Sequence, residues 1–133
     1  MLRYMLDTNL CIRVLRDRPA ELRVRFNQEA DALCISTIVL AELLHGAEKS
    51  ARPIENRREV ERLAARLKIL PFDEVAASHF ADIRTRLERQ GLPIRGYDLL
   101  IAGHARSRGL VLITGNLREF ARVDGLRAED WLA

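Results

Sequence analysis

Tyr4-Met5-Leu6-Asp7-Thr8-Asn9-Leu10-Cys11-Ile12 is the stretch whose reading decides the fold. It opens with an unbroken apolar run, turns polar at Asp-Thr-Asn, and passes into a short helical pattern over 8–16. A strand with no polar alternation is buried on both faces, the condition of a strand inside a parallel sheet. Asp-Thr-Asn is good chemistry for capping the helix that follows. The same succession recurs along the chain. Strand-like runs are expected at 3–6, 33–36, 69–72 and 110–113, with a weak last one at 126–129. Helical patterns fill 8–16, 19–29, 37–48, 54–68, 74–90 and 97–108. Pro19 suits a first helical turn, Ser36 or Thr37 could cap the third helix, and Gly91 and Gly109 close two others. Strands alternating with helices predict an α/β domain with a short parallel sheet of four to five strands, covered by helices on both faces. No linker, repeat or low-complexity tract divides it, so residues 1–133 read as a single domain.

The composition supports a packed core: 48% of residues are hydrophobic and only 5% aromatic, so Leu, Ile, Val and Ala fill it. No apolar run approaches the roughly 20 residues needed to cross a bilayer. The chain enters its first strand at once, leaving no room for a signal peptide, and a cytoplasmic location is expected. Cys11 and Cys34 fit that compartment as small buried hydrophobes, and no Cys/His spacing suggests zinc. Net charge is +3. Of the 22 basic residues all but Lys49 and Lys68 are Arg, the side chain best shaped to pair phosphates bidentately. Such a balance is compatible with a nucleic-acid substrate.

Four acids stand out against apolar surroundings. Asp7 follows the first strand, and Glu42 lies within Ile38-Val39-Leu40-Ala41-Glu42-Leu43-Leu44. Asp98 opens Asp98-Leu99-Leu100-Ile101-Ala102, and Glu119 follows the fourth strand in Thr114-Gly115-Asn116-Leu117-Arg118-Glu119-Phe120. In such doubly covered sheets the functional site lies at the carboxyl ends of the strands, where Asp7 and the 114–119 loop fall. Each acid has an ordinary alternative. Asp7 could be only a helix cap, Glu42 half of a buried ion pair, Asp98 a helix-dipole acid, and Asn116 with Glu119 a capped turn. The readings coexist at Asp7, where one oxygen could cap while the other binds a cation. Thr8, Asn9, Thr114 and Asn116 would support the acids. Clustered carboxylates need a compensating cation, and an all-oxygen set suits Mg2+ or Mn2+. His45, His79 and His104 lack metal-pair spacing and read as packing or surface residues.

These four segments, in order, resemble the motifs of the PIN-domain ribonucleases, and specifically the VapC toxins of type II toxin–antitoxin pairs. The likeness spans essentially the whole chain and includes the ending Gly125-Leu126-Arg127-Ala128-Glu129-Asp130-Trp131. It implies a PIN-like α/β/α sandwich and Asp7, Glu42 and Asp98 as core ligands of Mg2+ or Mn2+. The fourth acid is Glu119 or its place is taken by Asn116, where many members carry aspartate. Gly115 stands where Asn is usual. The resemblance further implies an endoribonuclease acting on RNA, with a tRNA anticodon loop a plausible target, a VapB-type antitoxin that blocks the site, and a homodimer. A catalytically weak PIN-like module that binds RNA or protein is the alternative. A magnesium phosphatase fits less well, because Asp7-Thr8-Asn9 lacks a second Asp.

Overall fold

A computed structural model describes residues 1–132. Five strands form one sheet, β1 (Tyr4–Leu6), β2 (Leu33–Ser36), β3 (Lys68–Leu70), β4 (Val111–Ile113) and β5 (Ala128–Glu129). Their order across the sheet is β3-β2-β1-β4-β5, and every pairing is parallel. The helices are α1 (Thr8–Leu15), α2 (Ala20–Glu29), α3 (Thr37–Glu48), α4 (Pro53–Ala65), α5 (Glu74–Arg89), α6 (Gly96–Ser107) and α7 (Leu117–Phe120). The α/β/α sandwich expected from the sequence is the observed architecture.

The strand order explains where a site belongs. From β1 the chain builds outward to β2 and β3, then returns to β1's other flank for β4 and β5. The direction of winding reverses between β1 and β4, and at such a switch point the connections diverge and leave a crevice at the carboxyl ends. Tyr4 pairs with Val111, Met5 with Leu112 and Leu6 with Ile113, so both strands end at the same level. Asp7 and Thr114 therefore leave the sheet side by side, and the Asp7 amide donates to the Ile113 carbonyl at 3.1 Å.

Burial follows the apolar pattern. Met5, Cys34, Ile35, Leu112 and Ile113 have no exposed surface, and both cysteines are free and buried. The core stripe of α3 is Val39, Leu43 and Ala47, and Glu42, half-buried, stands beside it. β3 stops at Leu70, short of the expected 72, because Pro71 has no amide to continue the ladder. Pro19 stands just before α2 rather than inside it. The helices α5 and α6 meet where Gly103 has no side chain: a Cβ there would lie 2.8 Å from the Phe80 backbone nitrogen. That contact seats α6, and with it Asp98.

Candidate active site

Asp7 is 5% exposed. It caps α1, its Oδ1 accepting from the Leu10 amide at 2.8 Å. Burial pushes its pKa up, the neighbouring Thr114 hydroxyl and the Leu10 amide draw it back, and the charges of Glu42 and Asp130 raise it further. Thr114, fully buried at the end of β4, also accepts from the Asn116 amide at 2.9 Å. The cap expected from the sequence is real, and it occupies one carboxylate oxygen.

Asp98 lies in the first turn of α6. Its pKa is raised to about 6, first by burial, then by Glu119, with Asp7 and Glu42 adding to the effect against the opposing charge of Arg95. The four carboxylates proposed from scattered sequence positions thus share one electrostatic neighbourhood.

Glu42 projects from the middle of α3 and accepts from the Thr8 hydroxyl at 2.5 Å, which ties the start of α1 to α3. Glu119, in α7, is held twice: its Oε2 accepts from the Asn116 side-chain amide, and its Oε1 from the Arg95 backbone amide at 3.4 Å. Asn116 therefore serves to orient Glu119. Asn9 is exposed on α1 and lines a cavity of about 540 Å³ together with Asp7, Asn116, Arg13, Arg16 and Arg18.

None of the four acids belongs to an ion pair among the described residues. The ion-pair alternative for Glu42 is thereby set aside. Nor do any three His, Cys, Asp or Glu side chains there stand close enough together to hold a cation without further ligands. An open, all-oxygen donor set fits Mg2+ or Mn2+, which keep waters and use few carboxylates, better than a metal demanding a closed protein cage.

Three features escaped the sequence reading. Asp130 comes close enough to Asp7 to raise its pKa, because β5 runs parallel beside β4. Arg13, Arg16 and Arg18 converge on the cavity, although their spacing in a basic-rich chain carried no distinguishing signal. Finally, fully buried His104 places its Nδ1 2.8 Å from the Ser36 hydroxyl, which itself accepts from the Ile38 amide at 3.1 Å to cap α3. Of the packing or surface roles read for His104, packing is the one observed, and the contact it makes fixes the helix of Asp98 against the helix of Glu42.

The PIN domain family model matches residues 4–126. The chain is 50% identical over 131 residues to the tRNA(fMet)-specific endonuclease VapC of Shigella flexneri, covering 98% of this chain and 99% of that one. It is 49% identical to ribonuclease VapC2 of Haemophilus influenzae (strain Rd), over 99% of this chain and 100% of the relative. Its fold superposes on the DNA-bound VapBC crystal structure from Salmonella typhimurium with a TM-score of 0.95 and 51% identity, covering 98% and 99% of the two chains.

Proposed function

The chain belongs to the PIN-domain family, and on that premise we propose that it is a Mg2+- or Mn2+-dependent endoribonuclease toxin that cleaves tRNA and is neutralised by a VapB-type antitoxin. The observation that carries this reading is that unpaired Asp7, which with Glu42 and Glu119 raises the pKa of Asp98, opens onto an arginine-walled cavity. Asp7 shares that cavity with Arg13, Arg16 and Arg18. The relatives named as tRNA(fMet)-specific endonucleases supply the substrate class. A tRNA substrate fits a cytoplasmic location. The VapBC complexes among its structural relatives support the antitoxin, and the family resemblance supports a homodimer.

Asp7, Glu42, Asp98 and Glu119 would hold the cation. When bound, it supplies positive charge to the phosphoryl oxygens and lowers the pKa of water. The chain's own residues do the rest. The arginines hold the phosphate backbone by paired hydrogen bonds, registering the strand without reading its sequence. Thr114 and the Leu10 amide fix the rotamer of Asp7, and Thr8 fixes that of Glu42. Asn116 and the Arg95 amide aim Glu119 toward the start of α6. In the cleavage itself a water oxygen bonds to phosphorus as the bond to one ribose oxygen breaks. The water's proton passes to the carboxylate cluster and solvent, and the departing oxygen is protonated.

Sequencing of RNA ends after a short pulse of expression without antitoxin tests the reading. Discrete new 5′ ends in tRNA, absent when Asp98→Asn is expressed, are the expected result. Growth arrest with no new ends would replace it with the binding-module alternative.

A further inference from the structure

Of the chain's Trp, Tyr and Phe side chains, Tyr97 alone is exposed, at 57%. The half-buried rings have partners. Trp131 stacks edge-on with Tyr4 and lies under Arg25, Phe72 meets His104, and Phe80 lies under Arg84. No aromatic or cationic partner faces the Tyr97 ring among the described residues. An unpartnered ring in water is an unused stacking surface.

Its position gives that surface a use. Tyr97 precedes Asp98 directly in the first turn of α6. It walls a recess of about 300 Å³ together with Thr8, Asn9, Glu42, His45 and Lys49. Asn9 also lines the arginine-walled cavity, so the start of α1 is a ridge between the two spaces. One side of the ridge offers three guanidinium groups suited to phosphates. The other offers one free aromatic face, with Lys49 at its edge and the acids alongside. Single-stranded nucleic acid is bound by this division of labour, with cations along the backbone and rings beneath the bases.

Resting on the nuclease reading above, we infer that Tyr97 is a stacking platform for an unpaired base on a nucleotide flanking the scissile phosphodiester. Tyr97 thereby selects loops over helices, because a paired base cannot leave its stack to reach the ring without an unpairing penalty. The ring does not take part in bond breaking; it fixes which phosphate lies over the carboxylates.

The test uses the full chain with Mn2+. Wild-type protein is first incubated with bulk tRNA and the cut is mapped by end sequencing. The tRNA species that is cut is then made with an abasic ribose on either side of the cleaved bond. Tyr97→Ala should raise KM by about 10-fold or more, within the range of lost base–aromatic stacking, with little change in kcat. Tyr97→Phe should stay within about twofold, since the face rather than the hydroxyl does the work. One of the two abasic substrates should penalise wild type by a similar factor and Tyr97→Ala by no more than it already suffers. Failure of wild type to cut any RNA removes the nuclease reading and this inference with it. Wild-type cleavage with an unimpaired Tyr97→Ala removes this inference alone. So do penalties that multiply at both flanking positions, or a Tyr97→Phe as defective as Tyr97→Ala. Loss of cleavage accompanied by a change in oligomeric state on size exclusion would assign Tyr97 to a protein interface instead.

Discussion

The two loops that carry acids beyond the inner strands are built on different principles. At the end of β1, Asp7 is buried, capped to the backbone of α1 and touched by a fully buried threonine. Beyond β4, Glu119 stands in a helix of only four residues, half-buried, and its partners are an exposed asparagine side chain and a long contact to the Arg95 amide. The first arrangement is part of the core, and disturbing it disturbs the sheet. The second is held by side chains that water could replace. A site assembled this way has one fixed wall and one adjustable wall, so chemistry and stability should separate cleanly between them.

The largest expected effect lies at the acids themselves. Asp98→Asn and Asp7→Asn should cut RNA cleavage by roughly 10²- to 10⁴-fold, the scale of several kcal/mol of lost charge stabilisation. Both should still fold, since Asn at position 7 remains a good helix cap. Cleavage by Asp7→Asn at the wild-type rate in Mn2+ would break the fixed half of the comparison. Next in size is Thr114→Val, which keeps shape but leaves the Asn116 amide and the Asp7 carboxylate without their shared hydroxyl. A loss of about 1–3 kcal/mol in denaturant unfolding is expected. By contrast Asn116→Ala, at an exposed position, should alter stability by less than about 0.5 kcal/mol.

On the adjustable wall, Glu119→Gln should lower turnover more than Asn116→Ala, and extra Mn2+ should partly rescue it. A dead Asn116→Ala beside a near-normal Glu119→Gln would reverse their roles. A subtler measurement concerns protons. Asp98 holds its proton up to about pH 6 in the folded state, against an ordinary value of 3.8. Between these values the metal-free folded protein binds a proton the unfolded chain has released, so stability falls as pH rises. Relative to Asp98→Asn, metal-free wild type should therefore lose melting temperature from about pH 4 to about pH 6, and Mg2+ should restore it above that range. A pH-independent difference between the two proteins would contradict this coupling. The smallest effect is expected at Gly115→Asn, because a Cβ there meets only the Leu132 side chain at an ordinary 3.7 Å. Thermal melts should barely move.

The sequence exposed most of the fold because strand and helix left different marks. Unbroken apolar runs such as Tyr4-Met5-Leu6 cannot be mistaken for surface strands, and Gly91 and Gly109, both at positive φ, end their helices on schedule. The errors were at edges, where Pro71 stopped β3 early. Candidate site residues were legible wherever an acid interrupted an apolar run. Asp130 interrupts nothing of the kind and becomes relevant only through the pairing of β5 with β4. The Ser36–His104 contact spans 68 residues, and no local pattern records it. Tyr97 stands directly before Asp98 in the chain, but its exposure is a property of the packed helix pair, invisible to periodicity.

The register of β1 against β4 has a consequence in time. Tyr4 pairs with Val111, so the crevice between these strands closes only after more than a hundred intervening residues have been made. Long-range parallel pairings of this kind form late, after local helices and hairpins. A nascent chain on the ribosome therefore carries Asp7 and Glu42 through most of its synthesis without the wall that β4 and its loop provide. A chain released early, before β4, has the same defect permanently. On the nuclease reading proposed above, the crevice that holds its acids is assembled only when the sheet is complete.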